Sequence, residues 1–281
     1  MDLFVDLSKA VFLGVLQGLT EFLPISSSAH LAIFPKFLGW NDPGAAFTAV
    51  IQIGTELAVL IYFRKDIWSI GSGWVRGVFN KAARTTQEWR MGWFVIIGSV
   101  PIVLLGLALQ SLIDKNFRNL WVIGSTLIVL GIVLGVAERV GRKDTAIENL
   151  TLSHAILFGL AQAGALVPGV SRSGATISMG LFLGYERAAA TRYAFLLAIP
   201  AVVGAGVFKL KDIGGANEYG MVPTLVATIV SFVVGLAVIH WLLEYVSTKS
   251  YMPFVFYRIA LGAVVLLLVA TSVIAAGTTV G

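Results

Sequence analysis

The 281-residue chain has no cysteine, so neither a disulfide framework nor thiol chemistry can serve it, and its redox compartment stays open. Charge is scarce as well: Asp, Glu, Lys and Arg make up 12% of the residues, against about a quarter in an ordinary soluble domain, while 57% are hydrophobic. That shortage excludes a soluble protein and leaves an integral membrane protein. The net charge of +5 is not a nucleic-acid footprint, because the basic residues lie in short segments between apolar runs, where they serve to orient a membrane chain. The N-terminal stretch does not read as a signal peptide either. Val11–Leu16 imitates an apolar core and Ser26–Ala29 a cleavage site, but Asp2 and Asp6 ahead of Lys9 give the leading segment the wrong charge.

What the chain does contain is two interrupted apolar stretches. Gln17–His30 enters as an apolar run, breaks at Pro24, then places Ser26, Ser27, Ser28 and His30 within a few residues, with Glu21 just before the break. A carboxylate at bilayer depth costs roughly 3 kcal/mol even on the lenient insertion scale, so this cluster implies a protein-lined polar cavity. The pattern recurs at an offset of 145 residues, where Gly14, Gln17, Ser26, Ser28, Leu38 and Gly39 fall on Gly159, Gln162, Ser171, Ser173, Leu183 and Gly184. The second copy, Pro168–Thr176, again joins a proline break to hydroxyls, with Arg172 in place of Ser27. Internal symmetry of this length marks a duplicated membrane architecture.

The remaining apolar runs predict spans at Ala45–Phe63, Met91–Ile113, Leu120–Ala137, Tyr193–Phe208, Met221–Leu243 and from Ile259 to about Gly277. Gln52 and Glu56, four residues apart, share one helix face that should point inward. The stretches at Ala10–Phe37 and Leu152–Tyr185 are too broken to be simple spans and read as re-entrant elements. The predicted fold is therefore an all-α integral membrane protein, one polytopic domain over 1–281. It has six transmembrane helices plus two re-entrant helix-turn-helix elements in an inverted-topology repeat, with repeat 1 at about 10–137 and repeat 2 at about 152–277. Thirteen of the twenty Lys and Arg fall on the Arg64–Arg90 side, Arg258 among them, and six on the other, with Arg172 inside the second break. The first side is then cytoplasmic, both termini lie outside, and the tips of the two breaks meet near the midplane.

That meeting point assembles Glu21, Ser26, Ser27 and His30 with Ser171, Arg172, Ser173 and Thr176. Hydroxyls and an arginine beside unpaired N–H groups at a helix N-terminus favour a phosphate. His154 and His240, near span ends, read as structural.

Gln17–Ser27 with His30, and Pro168–Ile177, resemble the two signature motifs of the bacterial undecaprenyl pyrophosphate phosphatases of the BacA type, and the resemblance covers nearly the whole chain. It implies hydrolysis of undecaprenyl diphosphate to the monophosphate and phosphate, recycling the lipid carrier of cell-wall synthesis and conferring bacitracin resistance. It implies a divalent cation, Mg or Ca, and a multi-pass protein of the bacterial plasma membrane with its active site facing the outer side. By position, Glu21, Ser27, His30 and Arg172 match the family's functional residues, with Ser26, Ser171, Ser173 and Thr176 as phosphate-binding neighbours and Glu21 as candidate metal ligand. Two positions depart from the family: Gln17 stands where members often carry Glu, and Ala29 where the residue before the histidine is usually Gly. Expected partners are the polyprenyl diphosphate, membrane lipids and a second copy in a homodimer, with no nucleic acid. Whether Ser27 attacks phosphorus with His30 as its base, or a water does, stays open from the residues. The alternative in another class is a secondary transporter or lipid flippase, since inverted repeats with broken helices also build transporters.

Overall fold

The computed structural model describes residues 3–116, 119–209 and 219–277. The chain forms eleven α-helices among these residues, in the order α1 (Leu3–Phe22), α2 (Ser27–Phe37), α3 (Gly44–Tyr62), α4 (Arg64–Phe79), α5 (Gln87–Asn116), α6 (Leu120–Val140), α7 (Leu152–Gly164), α8 (Arg172–Phe182), α9 (Arg187–Lys209), α10 (Met221–Thr248) and α11 (Met252–Ala270). By length and composition five helices can cross a membrane, six when the bent pair α3–α4 counts as one span. The protein is an all-α integral membrane protein. Most of the predicted Lys209–Gly220 turn, together with Arg118 and Lys211, lies outside the described residues.

Two hairpins carry the breaks. Pro24 has no N–H to continue α1, and the chain turns over 23–26 before α2 runs back. Trp40, just past α2, packs edge-on against Phe12 at 5.5 Å, with the Lys9 ammonium 5.6 Å from its ring. The end of α2 has thus returned to the level of α1's own first half, so the pair is re-entrant although α1 alone is long enough to span. Eleven residues of α2 cover about 16 Å, half of a ~30 Å hydrocarbon core. The second hairpin repeats this: the Tyr185 hydroxyl beyond α8 lies 2.8 Å from His154 Nδ1 at the start of α7. Each hairpin packs beside a long helix from the other half of the chain, α1 along α10 and α7 along α5.

The two hairpins open toward opposite ends. At one end Lys36 donates to the Ala275 carbonyl, Asn119 bridges to Gly277, and Tyr219 packs on Phe47. At the other, buried Glu138 is gripped by the Arg187 guanidinium, and the hydroxyls of Thr191 and Tyr251 meet beside it.

The polar segment Arg64–Arg90 is largely helical: α4 leaves α3 at a 68° bend, and its Gly73 and Gly77 lie flush against Glu88 and Trp89 of α5, which leaves Trp68 and Phe79 exposed beside the basic residues. Arg258 is not a loop residue but sits two turns inside α11 with no solvent exposure, so the charge asymmetry rests on the other residues.

Candidate active site

The two breaks build their turns alike. Ser26 and Ser171 are the N-caps of α2 and α8, with φ of 75° and 67°, a region that costs a non-glycine residue roughly 1–2 kcal/mol. In each case the strained backbone carries the hydroxyl to a cap: Ser26 Oγ accepts from the Ala29 N–H at 3.4 Å and Ser171 Oγ from the Gly174 N–H at 3.1 Å. At the second break Gly169, at φ 91°, lies so close to α6 that a Cβ there would fall 2.1 Å from Thr126 Oγ1.

The tips touch. Ser173 Oγ donates to the Leu23 carbonyl at 3.1 Å, and the Arg172 guanidinium donates to Glu21 Oε1 at 2.6 Å across 151 residues of sequence. The other carboxylate oxygen, Oε2, accepts from the Ser27 hydroxyl at 2.6 Å and from the Gln17 amide at 3.2 Å. Glu21 therefore joins the serine of one tip to the arginine of the other. Its side chain is 10% exposed and that of Arg172 23%, so the pair is sheltered but not sealed.

A cleft opens beside this pair. Its polar part is lined by Glu21, Thr55, Glu56, Arg172 and Ser173, and its apolar wall is formed mainly by Val59, Phe195, Ala198 and Val202 of α3 and α9.

Not every expected residue reaches the cleft. Thr176 is fully buried and spends its hydroxyl on the Arg172 and Ser173 carbonyls, while Ser26 and Ser171 are occupied in capping their helices. Of the five expected phosphate-binding residues, Arg172 and Ser173 line the cleft and the other three shape the turns behind it. His30 is turned away from Ser27. Its Nδ1 lies 2.7 Å from the Ser26 carbonyl, an acceptor only, so Nδ1 bears the hydrogen and Nε2 accepts from the Tyr257 hydroxyl at 2.7 Å. The rings of His30 and Tyr257 stack at 5.6 Å.

The residue beside Tyr257 was invisible as a site residue in the sequence. Arg258, wholly buried, donates from Nη1 to the Pro24 carbonyl at 3.0 Å and from Nη2 to the Gly169 and Val170 carbonyls, each at 3.0 Å. It meets no carboxylate in doing so. One guanidinium fork ties both tips together through their backbone, and the planar spread of its donors suits that task.

The chain is similar over nearly its whole length to known proteins. Over 97% of its length the chain is 68% identical to an undecaprenyl-diphosphatase of Nocardioides sp., all of which is covered. It is 55% identical to an undecaprenyl-diphosphatase of Thermobifida fusca, over 96% of this chain and 92% of the relative. It is likewise 55% identical to undecaprenyl-diphosphatase 2 of Agrobacterium fabrum, over 96% and 98%. Residues 10–264, which include both tips and Arg258, match the family described as bacitracin resistance protein BacA, and the chain belongs to that family.

Proposed function

We propose that this chain hydrolyses undecaprenyl diphosphate to undecaprenyl phosphate and inorganic phosphate, and so returns the lipid carrier to cell-wall synthesis and confers bacitracin resistance. The observation that carries the reading is the Ser27–Glu21–Arg172 array, joined by two 2.6 Å hydrogen bonds, whose Glu21 and Arg172 line a cleft together with apolar side chains of α3 and α9. The relatives named as undecaprenyl-diphosphatases support the same substrate.

In this reading the diphosphate lies against Arg172, whose fork can hold two oxygens at once, with Ser173 beside it. Phosphoryl transfer is mostly positioning and charge stabilisation, which the two rigid tips supply. Ser27 Oγ attacks the terminal phosphorus as Glu21 Oε2 takes its proton, the bridging P–O bond breaks, and undecaprenyl phosphate departs with that proton. Water then cleaves the phosphoserine, which releases phosphate and restores the hydroxyl. His30 acts on the fold of the first tip, since its two nitrogens are committed to Ser26 and Tyr257.

The family resemblance adds a divalent cation, Mg or Ca, and the donors fit one. The cleft offers carboxylate and hydroxyl oxygens, the ligands that hard cations take. Among the described residues no three or more His, Cys, Asp or Glu side chains converge, so Glu21 would hold the ion in a shell completed by substrate oxygens and water. Bound there, it would offset negative charge on the phosphate. The proposal also has the site opening to the outer face, the two repeats at about 10–137 and 152–277, and a homodimer in the membrane.

The test is phosphate release from undecaprenyl diphosphate by detergent-purified protein, with no membrane gradient, in the presence and absence of a chelator. Release that the chelator suppresses is expected. Movement of the lipid across proteoliposomes without release would favour a transporter instead.

A further inference from the structure

We infer that α4 is an interfacial helix whose exposed face seats the headgroups of anionic phospholipids. The inference does not depend on the phosphatase reading. Nineteen residues of α3 rise about 28 Å, close to the ~30 Å of a hydrocarbon core, and Arg64, Lys65 and Asp66 follow directly at the start of α4. Helix α3 therefore reaches the membrane surface where α4 begins. The 68° bend between them lays α4 closer to the membrane plane than to its normal, even for an α3 tilted by the usual ~20°.

The two sides of α4 have different surroundings. One is spent on protein: Gly73 and Gly77 lie against Glu88 and Trp89 of α5, and Asp66 pairs with Arg192 near the start of α9. The other is bare. Trp68, Val75 and Phe79, at spacings of seven and four, form one stripe and are 78%, 48% and 85% exposed. A tryptophan beside basic residues at a span's end is what the membrane–water interface favours.

Charge decides what covers the stripe. Arg64, Lys65 and Arg76 border it, and Lys81 and Arg84 follow in the short 3₁₀ helix after α4; all five are exposed. Among the described residues none of the five meets a carboxylate. Asp66 and Glu88, the two acids of residues 64–90, both lie on the protein side. An apolar stripe edged by five cations matches a leaflet with negative headgroups, in which the rings enter the acyl boundary and the cations stay level with the phosphates. A neutral protein partner would leave those cations unmatched, and a second copy presenting the same face would be repelled.

Two measurements on the full chain test this. In phosphatidylcholine vesicles, trace spin-labelled phosphatidylglycerol or phosphatidylcholine reports by electron paramagnetic resonance how much of each lipid the protein holds. The wild type should prefer phosphatidylglycerol by about threefold or more, and less at high salt. The triple variant Lys65→Gln, Arg76→Gln, Lys81→Gln should lose most of that preference while melting near the wild-type temperature. Full preference in the folded triple variant would overturn the inference, as would a wild type with none. Should the triple variant not fold, depth decides: a nitroxide on Val75→Cys, specific because the chain has no native cysteine, is read in vesicles of phosphatidylcholine and phosphatidylglycerol. It should meet oxygen, which partitions among acyl chains, more than a water-soluble nickel chelate. A label more open to the chelate would put this face in water, and one shielded from both would put it against protein; either result overturns the inference.

Discussion

Arg258 offers the sharpest perturbation, because one side chain holds both halves of the site. Replacing it with Met keeps the length and apolar bulk but removes the donors that reach the Pro24, Gly169 and Val170 carbonyls. A hydrogen bond from a charged donor contributes about 1.5–3 kcal/mol, so three amount to roughly 5–9 kcal/mol gross. Against this, the buried guanidinium no longer has to be desolvated, which returns several kcal/mol. The net loss should be about 3 kcal/mol, enough to lower the melting temperature clearly while leaving most molecules folded if total stability is typical at about 5–15 kcal/mol. Catalysis should suffer more. The fork sets the distance between tips that bring Arg172 to Glu21, and a 1 Å misplacement of reacting groups costs about a hundredfold in rate. Arg258→Lys keeps the charge but gathers its donors at one nitrogen, so it can serve one tip and not both. It should recover part of the melting temperature and little of the turnover. Phosphate release and thermal melting on purified protein give both quantities. Wild-type turnover in a folded Arg258→Met protein would refute the argument that this fork positions the site.

Arg172→Lys should reduce turnover by roughly a hundredfold while the protein still folds, whereas Arg172→Ala should also destabilise it by about 3–5 kcal/mol by leaving Glu21 buried and unpaired. Near-normal turnover in the lysine variant would reduce Arg172 to a counter-ion, and the double Arg172→Ala, Glu21→Ala variant should regain stability. Ser27→Ala should abolish turnover nearly completely, while Tyr257→Phe, which deprives His30 of its donor, should lower it by about tenfold or less. The reverse order would return His30 to the chemistry. Because the chain has no native cysteine, single cysteines at Thr86 and Asn41 can be labelled without background, and they should react from opposite sides of intact cells, Asn41 from outside. Labelling of both from one side would overturn the span count.

The breaks were legible because lipid permits so little: a proline followed by clustered hydroxyls and a carboxylate has few places to be except a protein-lined interior. The meeting of the two tips, which brings Glu21 and Arg172 to one place, followed from the same reasoning. Arg258 escaped it because a single basic residue near the edge of an apolar run looks the same whether it anchors a loop or enters the core. The remaining signal was that α11 starts six residues earlier, at Met252, with no acid nearby for a partner. Backbone carbonyls, its actual partners, carry no sequence signature. The orientation of His30 was not readable for a related reason, since adjacency to Ser27 in sequence says nothing about where the ring turns, and Tyr257 lies 227 residues away. In α4 the density of charge concealed a helix, whose Gly73 and Gly77 let it lie on α5.

The partners of the first tip lie so far along the chain that the order of synthesis becomes a constraint. Glu21 waits for an arginine 151 residues downstream, and the Pro24 carbonyl for one 234 residues downstream. At roughly 5–20 residues per second, the nascent first hairpin holds an uncompensated carboxylate for about 8–30 s before Arg172 is even made. During that interval the polar tip must be sheltered by the insertion machinery or wait at the membrane surface. A chain truncated before α8 has no partner for that acid, and one truncated between α8 and α11 has Arg172 but lacks the Arg258 fork that ties the two tips together.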